Sequence, residues 1–172
     1  RDIASGVSVV GGGQLVARLG ARHTVVAGAE AQWDRGVVQR NFDVAPYAGY
    51  LDSRQNMASG GVFVDDEFRF SDAWRLNAGL RADLNDLGTV RLSPRVALIG
   101  TRPDNRIFKL IIGQSYRAPN AYERYYQVDA GEGTQWANPA LSDEHVRTAE
   151  LFYSRGLGAR GRAELSVYHY LL

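Results

Sequence analysis

Three histidines, His23, His145 and His169, are the first residues in this chain with proton or metal chemistry to offer. Imidazole binds transition metals in sets, as in the His-x-x-x-His spacing along one helical face, and no two of these three share such a spacing. Cysteine is absent, which excludes thiolate metal sites, disulfides and a cysteine nucleophile. Asp83, Asn85 and Asp86 form an oxygen-rich group of the kind calcium favours, and the same residue types equally suit a turn. In Asp65-Asp66-Glu67 a strand would split the carboxylates between its faces, which argues against a two-carboxylate catalytic site. Gly11-Gly12-Gly13 lacks the Lys-Ser/Thr and the helix that a phosphate cradle requires, and a strand bend or an imperfect loop suits it better. No Gly-x-Ser-x-Gly nucleophile elbow occurs. These residues lead to the expectation of no enzyme activity, no cofactor and no metal site.

Recognition chemistry is better represented. Arg40, Tyr47 and Tyr50 flank one expected long connection, and Arg124, Tyr125, Tyr126 and Trp136 lie in another. Guanidinium groups and aromatic rings suit an anionic, partly aromatic ligand, through ion pairing and stacking. An interfacial aromatic belt with ordinary loop residues would have the same composition. With 20 Lys+Arg against 19 Asp+Glu, the net charge of +1 gives no electrostatic case for a nucleic-acid partner.

The elements that would position these side chains follow from a period of two. Trp74, Leu76, Ala78, Leu80, Ala82 and Leu84 share one phase, while Arg75, Asn77, Gly79, Arg81 and Asp83 share the other. His23 to Trp33 alternates in the same way. Side chains along a strand point to opposite faces, so each segment has a greasy side and a polar side. The pattern predicts eight strands, at about 7–19, 23–42, 58–70, 74–84, 92–100, 106–117, 144–155 and 160–171. Short connections are expected at 20–22, 71–73, 101–105 and 156–159, and longer ones at about 43–57, 85–91 and 118–143. Tight turns at one rim and long loops at the other fit a transmembrane β-barrel. Strand length points the same way, since soluble strands average ~5–6 residues and a membrane-crossing strand needs ~9–11. Trp33, Phe68, Phe70, Trp74, Tyr116, Tyr153 and Tyr170 fall near strand ends, where interfacial girdles belong. No window approaches the 18 apolar residues of a transmembrane helix.

A stretch of about 60 residues carries a more specific signal. Leu92-Ser93-Pro94-Arg95 opens a strand, Arg117-Ala118-Pro119 closes one with Glu123 shortly after, and Asn138-Pro139-Ala140-Leu141-Ser142-Asp143-Glu144 leads into a strand containing Glu150. These elements, in this order, resemble the barrel of the TonB-dependent outer-membrane receptors. Proline donates no backbone hydrogen bond, so Pro119 and Pro139 suit places where the chain leaves or joins the sheet. The alternation puts Arg117, Glu123 and Glu150 in phases compatible with the lumen, where charges can pair. On the lipid side an arginine at midplane would cost ~2–4 kcal/mol.

The resemblance implies a 22-stranded barrel, of which eight strands form a middle-to-late portion, with the family's N-terminal plug absent from residues 1–172. It implies import of a scarce nutrient chelate, a siderophore-like iron complex or cobalamin among them, with TonB and outer-membrane lipid as partners. Two other architectures would also produce alternating strands: a complete eight-stranded membrane barrel with a structural or adhesive role, and a soluble ligand-binding β-sandwich.

Overall fold

The computed structural model describes all residues except 87, 130–133 and 159–160. Its strands are β1 (Asp2–Leu19), β2 (His23–Val44), β3 (Tyr47–Arg69), β4 (Trp74–Asn85), β5 (Val90–Arg102), β6 (Arg106–Arg117), β7 (Val128–Asp129), β8 (Thr134–Gln135), β9 (Glu144–Gly156) and β10 (Arg162–Leu171), with a short helix, α1 (Ala121–Tyr125), before β7. Eight of them form a single antiparallel sheet in the order β1-β2-β3-β4-β5-β6-β9-β10. Each strand pairs with its neighbour in sequence; only the insertion of α1 and the small β7–β8 hairpin interrupts the meander.

Burial in this sheet is inverted. The only buried apolar residues among those described are Ala97 and Ala121, whereas Gln39, Asp83, Arg91, Arg124 and Ser154 are all buried. Leu80 is 45% exposed and Asp83, three residues along the same strand, only 7%. The sheet carries its aliphatic side outward and its charges on the shielded side, the reverse of a water-soluble core. Register carries this phase across the strands: Val64, Leu80 and Pro94 lie side by side on the outward face, and Phe63, Arg81 and Ser93 on the inward one.

The outward face also has boundaries. At the short-turn rim His23 stacks on Phe68 with ring centroids 4.6 Å apart, Phe68 meets Phe70 at 6.1 Å, and Trp74 meets Phe108 edge-on at 6.0 Å. At the other rim, on β2, Trp33 carries the Arg35 guanidinium over its ring at 4.9 Å. From His23 to Trp33 the strand rises about 33 Å, which at a tilt of ~40° covers the ~25 Å of a barrel's apolar band.

Several expectations need correction. A long loop was expected over 43–57, but β2 and β3 continue as one hairpin closed by Ala45-Pro46, whose peptide bond is cis. Above Trp33 the outward positions mix Arg35, Arg40, Asp52 and Arg54 with Val38, and the other phase mixes Gln39, Asn41 and Gln55 with Val37 and Leu51, so the period of two loses its contrast. Strand β1 begins at Asp2 rather than 7, because a register shift between Ser5 and Val7 breaks the alternation there. Gly11–Gly13 makes no bend; it pairs residue for residue with Ala29–Ala31. Tyr116 and Tyr170 leave the expected girdle. Tyr116 lies beside Arg91, Arg81 and Asp83 on the shielded side, beyond the point where the β5–β6 ladder ends at Arg95–Gly113. Tyr170 pairs with Thr148 in the phase of Glu150. The expected turn at 156–159 and strand start at 160 fall partly outside the described residues.

The two rival architectures also fare poorly. A sandwich needs two large sheets facing each other, and here the eight long strands form one. A closed eight-stranded barrel would pair β1 with β10, yet these strands are the two edges of the sheet.

Candidate functional site

On the shielded face an ion-pair network crosses three strands. Arg81 on β4 donates from Nε to both carboxylate oxygens of Asp83, at 2.8 and 2.9 Å, and from Nη2 to Glu30 on β2. To reach Glu30 it must pass over β3, and it does so at Gly61, where a Cβ would collide with the Asp83 carboxylate and the Arg81 guanidinium. Asn77 donates to Asp65 in the same way between β4 and β3. Arg91 at the start of β5 is paired with Asp143, just before β9, and both side chains are nearly inaccessible. Paired charges tolerate burial here because each guanidinium finds a carboxylate.

The second cluster organises the long connection between β6 and β9. Arg117, the last residue of β6, donates Nε and Nη2 to the two oxygens of Glu144 at 3.0 and 2.8 Å, and Nη1 to both oxygens of Glu123 at 3.0 and 2.9 Å. Glu123 also accepts the Asn120 backbone N–H at 2.9 Å, while Asn120 Oδ1 accepts the Glu123 N–H at 3.0 Å, a reciprocal cap that starts α1. Pro119 sits between strand and cap, where its missing N–H does no harm. The Arg117 guanidinium, and next the Asn120 N–H, hold the Glu123 carboxyl below its ordinary range. One arginine thus ties the end of β6, the helix and the start of β9 together. Ala118 and Asn138-Pro139-Ala140-Leu141 are the connecting backbone on either side, with Leu141 N–H bonded to the Asn138 carbonyl at 3.1 Å. Glu150 belongs to neither cluster, accepting from Ser166 on β10 at 3.4 Å.

The aromatic and cationic candidates divide. Tyr47 is 76% and Trp136 73% exposed, so both are available at the long-loop rim. Tyr50 donates to Asp43 at 2.6 Å, which raises its phenol above the ordinary value. Arg40 is paired with Asp52 at 3.1 Å. Arg124, a candidate cation of the long connection, lies in the last turn of α1 and is buried there, stacked on Tyr125 at 4.8 Å and 3.4 Å from Asp86. Tyr126 accepts from Asn41 at 2.8 Å and donates to Asp2 at 3.0 Å, so the connection reaches across the shielded face to β1 and β2. No sequence period marked this crossing, because a five-residue helix is too short to show one. The oxygen-rich group Asp83, Asn85 and Asp86 does not converge: Asp83 receives Arg81 and Asp86 receives Arg124. Among the described residues no three His, Asp or Glu side chains gather as a metal site.

A family model described as TonB dependent receptor-like, beta-barrel matches residues 5–171. The chain belongs to that family. No curated protein matches it significantly. Among solved structures, the siderophore receptor PirA from Pseudomonas aeruginosa superposes with a TM-score of 0.73 at 20% identity, over 94% of this chain and 30% of that one. A variant of the ferric enterobactin receptor PfeA from the same organism, in complex with enterobactin, gives 0.75 at 19%, over 98% and 27%. PirA from Acinetobacter baumannii gives 0.70 at 16%, over 98% and 27%. At these identities the likeness establishes the fold: the open sheet is a section of TonB-dependent receptor barrel wall. The chain spans under a third of each solved receptor.

Proposed function

We propose that this chain is part of the barrel of an outer-membrane receptor that binds a ferric siderophore and imports it with energy supplied through TonB. The plug and the remaining strands would then belong to other parts of a longer protein. The inverted burial carries the proposal: an aliphatic face sized to a bilayer backs onto a lining of neutralised charges, a wall suited to enclosing a plug and a polar solute. The resemblance to receptors that carry siderophore names supports an iron chelate as cargo, with Tyr47, Tyr50, Arg40, Tyr125, Tyr126 and Trp136 as candidate contacts at the outer rim. Arg124 would join them only if α1 lifted.

The two exposed rings are the most direct test. In the complete receptor, Tyr47→Ala with Trp136→Ala is expected to weaken ferric siderophore binding at least tenfold in an equilibrium titration while leaving receptor abundance unchanged. Unaltered affinity would remove the rim from the ligand site.

A further inference from the structure

We propose that a row of three arginines at the short-turn rim, on the outward face of β5, β6 and β9, binds the phosphate of an anionic phospholipid in the leaflet at that rim. Register places Arg102 beside Arg106 and Arg106 beside Arg155, on three neighbouring strands and in one outward phase. Adjacent strands lie ~4.8 Å apart, so the three backbone positions span about 10 Å. Like charges directly opposite one another repel. A single carboxylate stands among them, Asp104 in the turn, which pairs with Arg106 at 2.5 Å. Arg102 lies over the Trp74 ring at 5.7 Å, and neither it nor Arg155 has an ion-pair partner among the described residues.

Two arginines near the same rim but in the inward phase are treated differently. Arg75 has Glu67 at 3.8 Å, and Arg162 has Glu164 at 3.6 Å. The outward row keeps its excess of positive charge, and all three of its members are exposed. Its backbone is also fixed. Asn105 takes φ +57°, its N–H donates to the Arg102 carbonyl at 3.1 Å, and its carbonyl accepts the Gly156 N–H at 3.2 Å. The β5–β6 turn is thereby held against β9, next to Arg155. Guanidinium groups side by side on such a base form a fork for an anion with several oxygens, which is phosphate chemistry.

The rows beyond the arginines identify the source of that phosphate. One outward position closer to the membrane centre, the ladder carries Trp74, Phe108 and Tyr153, with the Trp74 ring lying across Gly100 between them. The following outward row is Leu76, Leu98, Leu110 and Leu151. Leucine, aromatic and arginine rows in succession match the acyl chains, interface and phosphates of one leaflet. A free anion or an acidic protein would use only the arginine row. Uncompensated positive charge favours a lipid of net negative charge over a zwitterionic one, whose ammonium it repels.

The proposal rests on the outer-membrane reading above. Its test uses the complete receptor in detergent micelles, titrated with phosphatidylglycerol and with phosphatidylethanolamine of the same acyl chains, bound molecules being counted by native mass spectrometry. Wild-type receptor is expected to hold phosphatidylglycerol at least tenfold more tightly than phosphatidylethanolamine. Arg102→Ala with Arg155→Ala should weaken phosphatidylglycerol binding at least tenfold and leave Arg106 paired with Asp104. Arg162→Ala, an inward-phase cation at the same rim, should change nothing. Equal binding of the two lipids by wild type overturns the proposal and requires no variant to fold. Equal phosphatidylglycerol binding by wild type and the double variant, or displacement of the lipid by glycerol 3-phosphate, would overturn it too. Heat-modifiable gel mobility and ferric siderophore uptake keep the two readings apart. If wild-type receptor reaches the outer membrane and imports, a titration blind to headgroup charge removes this proposal alone. Absence of the wild-type receptor from that membrane removes both.

Discussion

At the residue scale the most instructive group is Arg117, because it converts two distant carboxylates into one fastening. The sequence showed that Arg117 and Glu123 could pair, but it pointed to Glu150 where the structure uses Glu144. Alternation reports a side chain's face and says nothing of how far the intervening connection carries its partner. The burial of Arg124 is illegible for a related reason: a single helical turn buries one side chain without leaving any period to detect. The fastening has a pH signature. Glu123 titrates below its ordinary value of 4.5 when folded, so it stabilises α1 in full above that value and loses its effect as pH falls through the depressed one. Hydrogen exchange at the α1 amides of the complete receptor, corrected for intrinsic rates, should show constant protection from neutral pH down to about 5 and a fall at lower pH. In Glu123→Gln the protection should be weak throughout, with the acid step diminished. Coincident profiles for the two proteins would separate α1 from the ion pair.

Among the elements, the membrane-spanning strands were the legible part. The segment 106–117 reappears as Arg106–Arg117, and 74–84 as Trp74–Asn85, the second because lipid on one side and water on the other impose strict alternation along it. Legibility ended where that contrast ended, in the β2–β3 extension and in the connection carrying α1. The glycines at strand crossings were also opaque. Gly61 looks like a weakness in a strand, yet its lack of a side chain is what lets Arg81 reach Glu30. The orientation of β4 gives a direct comparison with β2. Leu80→Arg would place a guanidinium among acyl chains at a cost of ~2–4 kcal/mol. Gln32→Arg adds the same group inward beside Asp34, which already accepts from Gln32 at 3.1 Å. Quantifying folded receptor in membranes should show a marked loss for Leu80→Arg and near wild-type amounts for Gln32→Arg. Similar amounts of the two would contradict the assigned faces.

For the whole molecule, what matters is which solvent each face meets. A sheet with an aliphatic exterior and a neutralised polar interior is stable only when the first touches hydrocarbon and the second encloses water and protein. The proposed import function depends on that partition. Single spin labels along β4 of the complete receptor in bilayers measure it directly through collision with oxygen, which concentrates in lipid, and with a nickel chelate, which stays in water. Labels at Ala78, Leu80 and Ala82 are predicted to favour oxygen, and labels at Asn77, Gly79 and Arg81 to be shielded from it, giving a two-residue oscillation. The opposite phase, or no oscillation at all, would contradict the account.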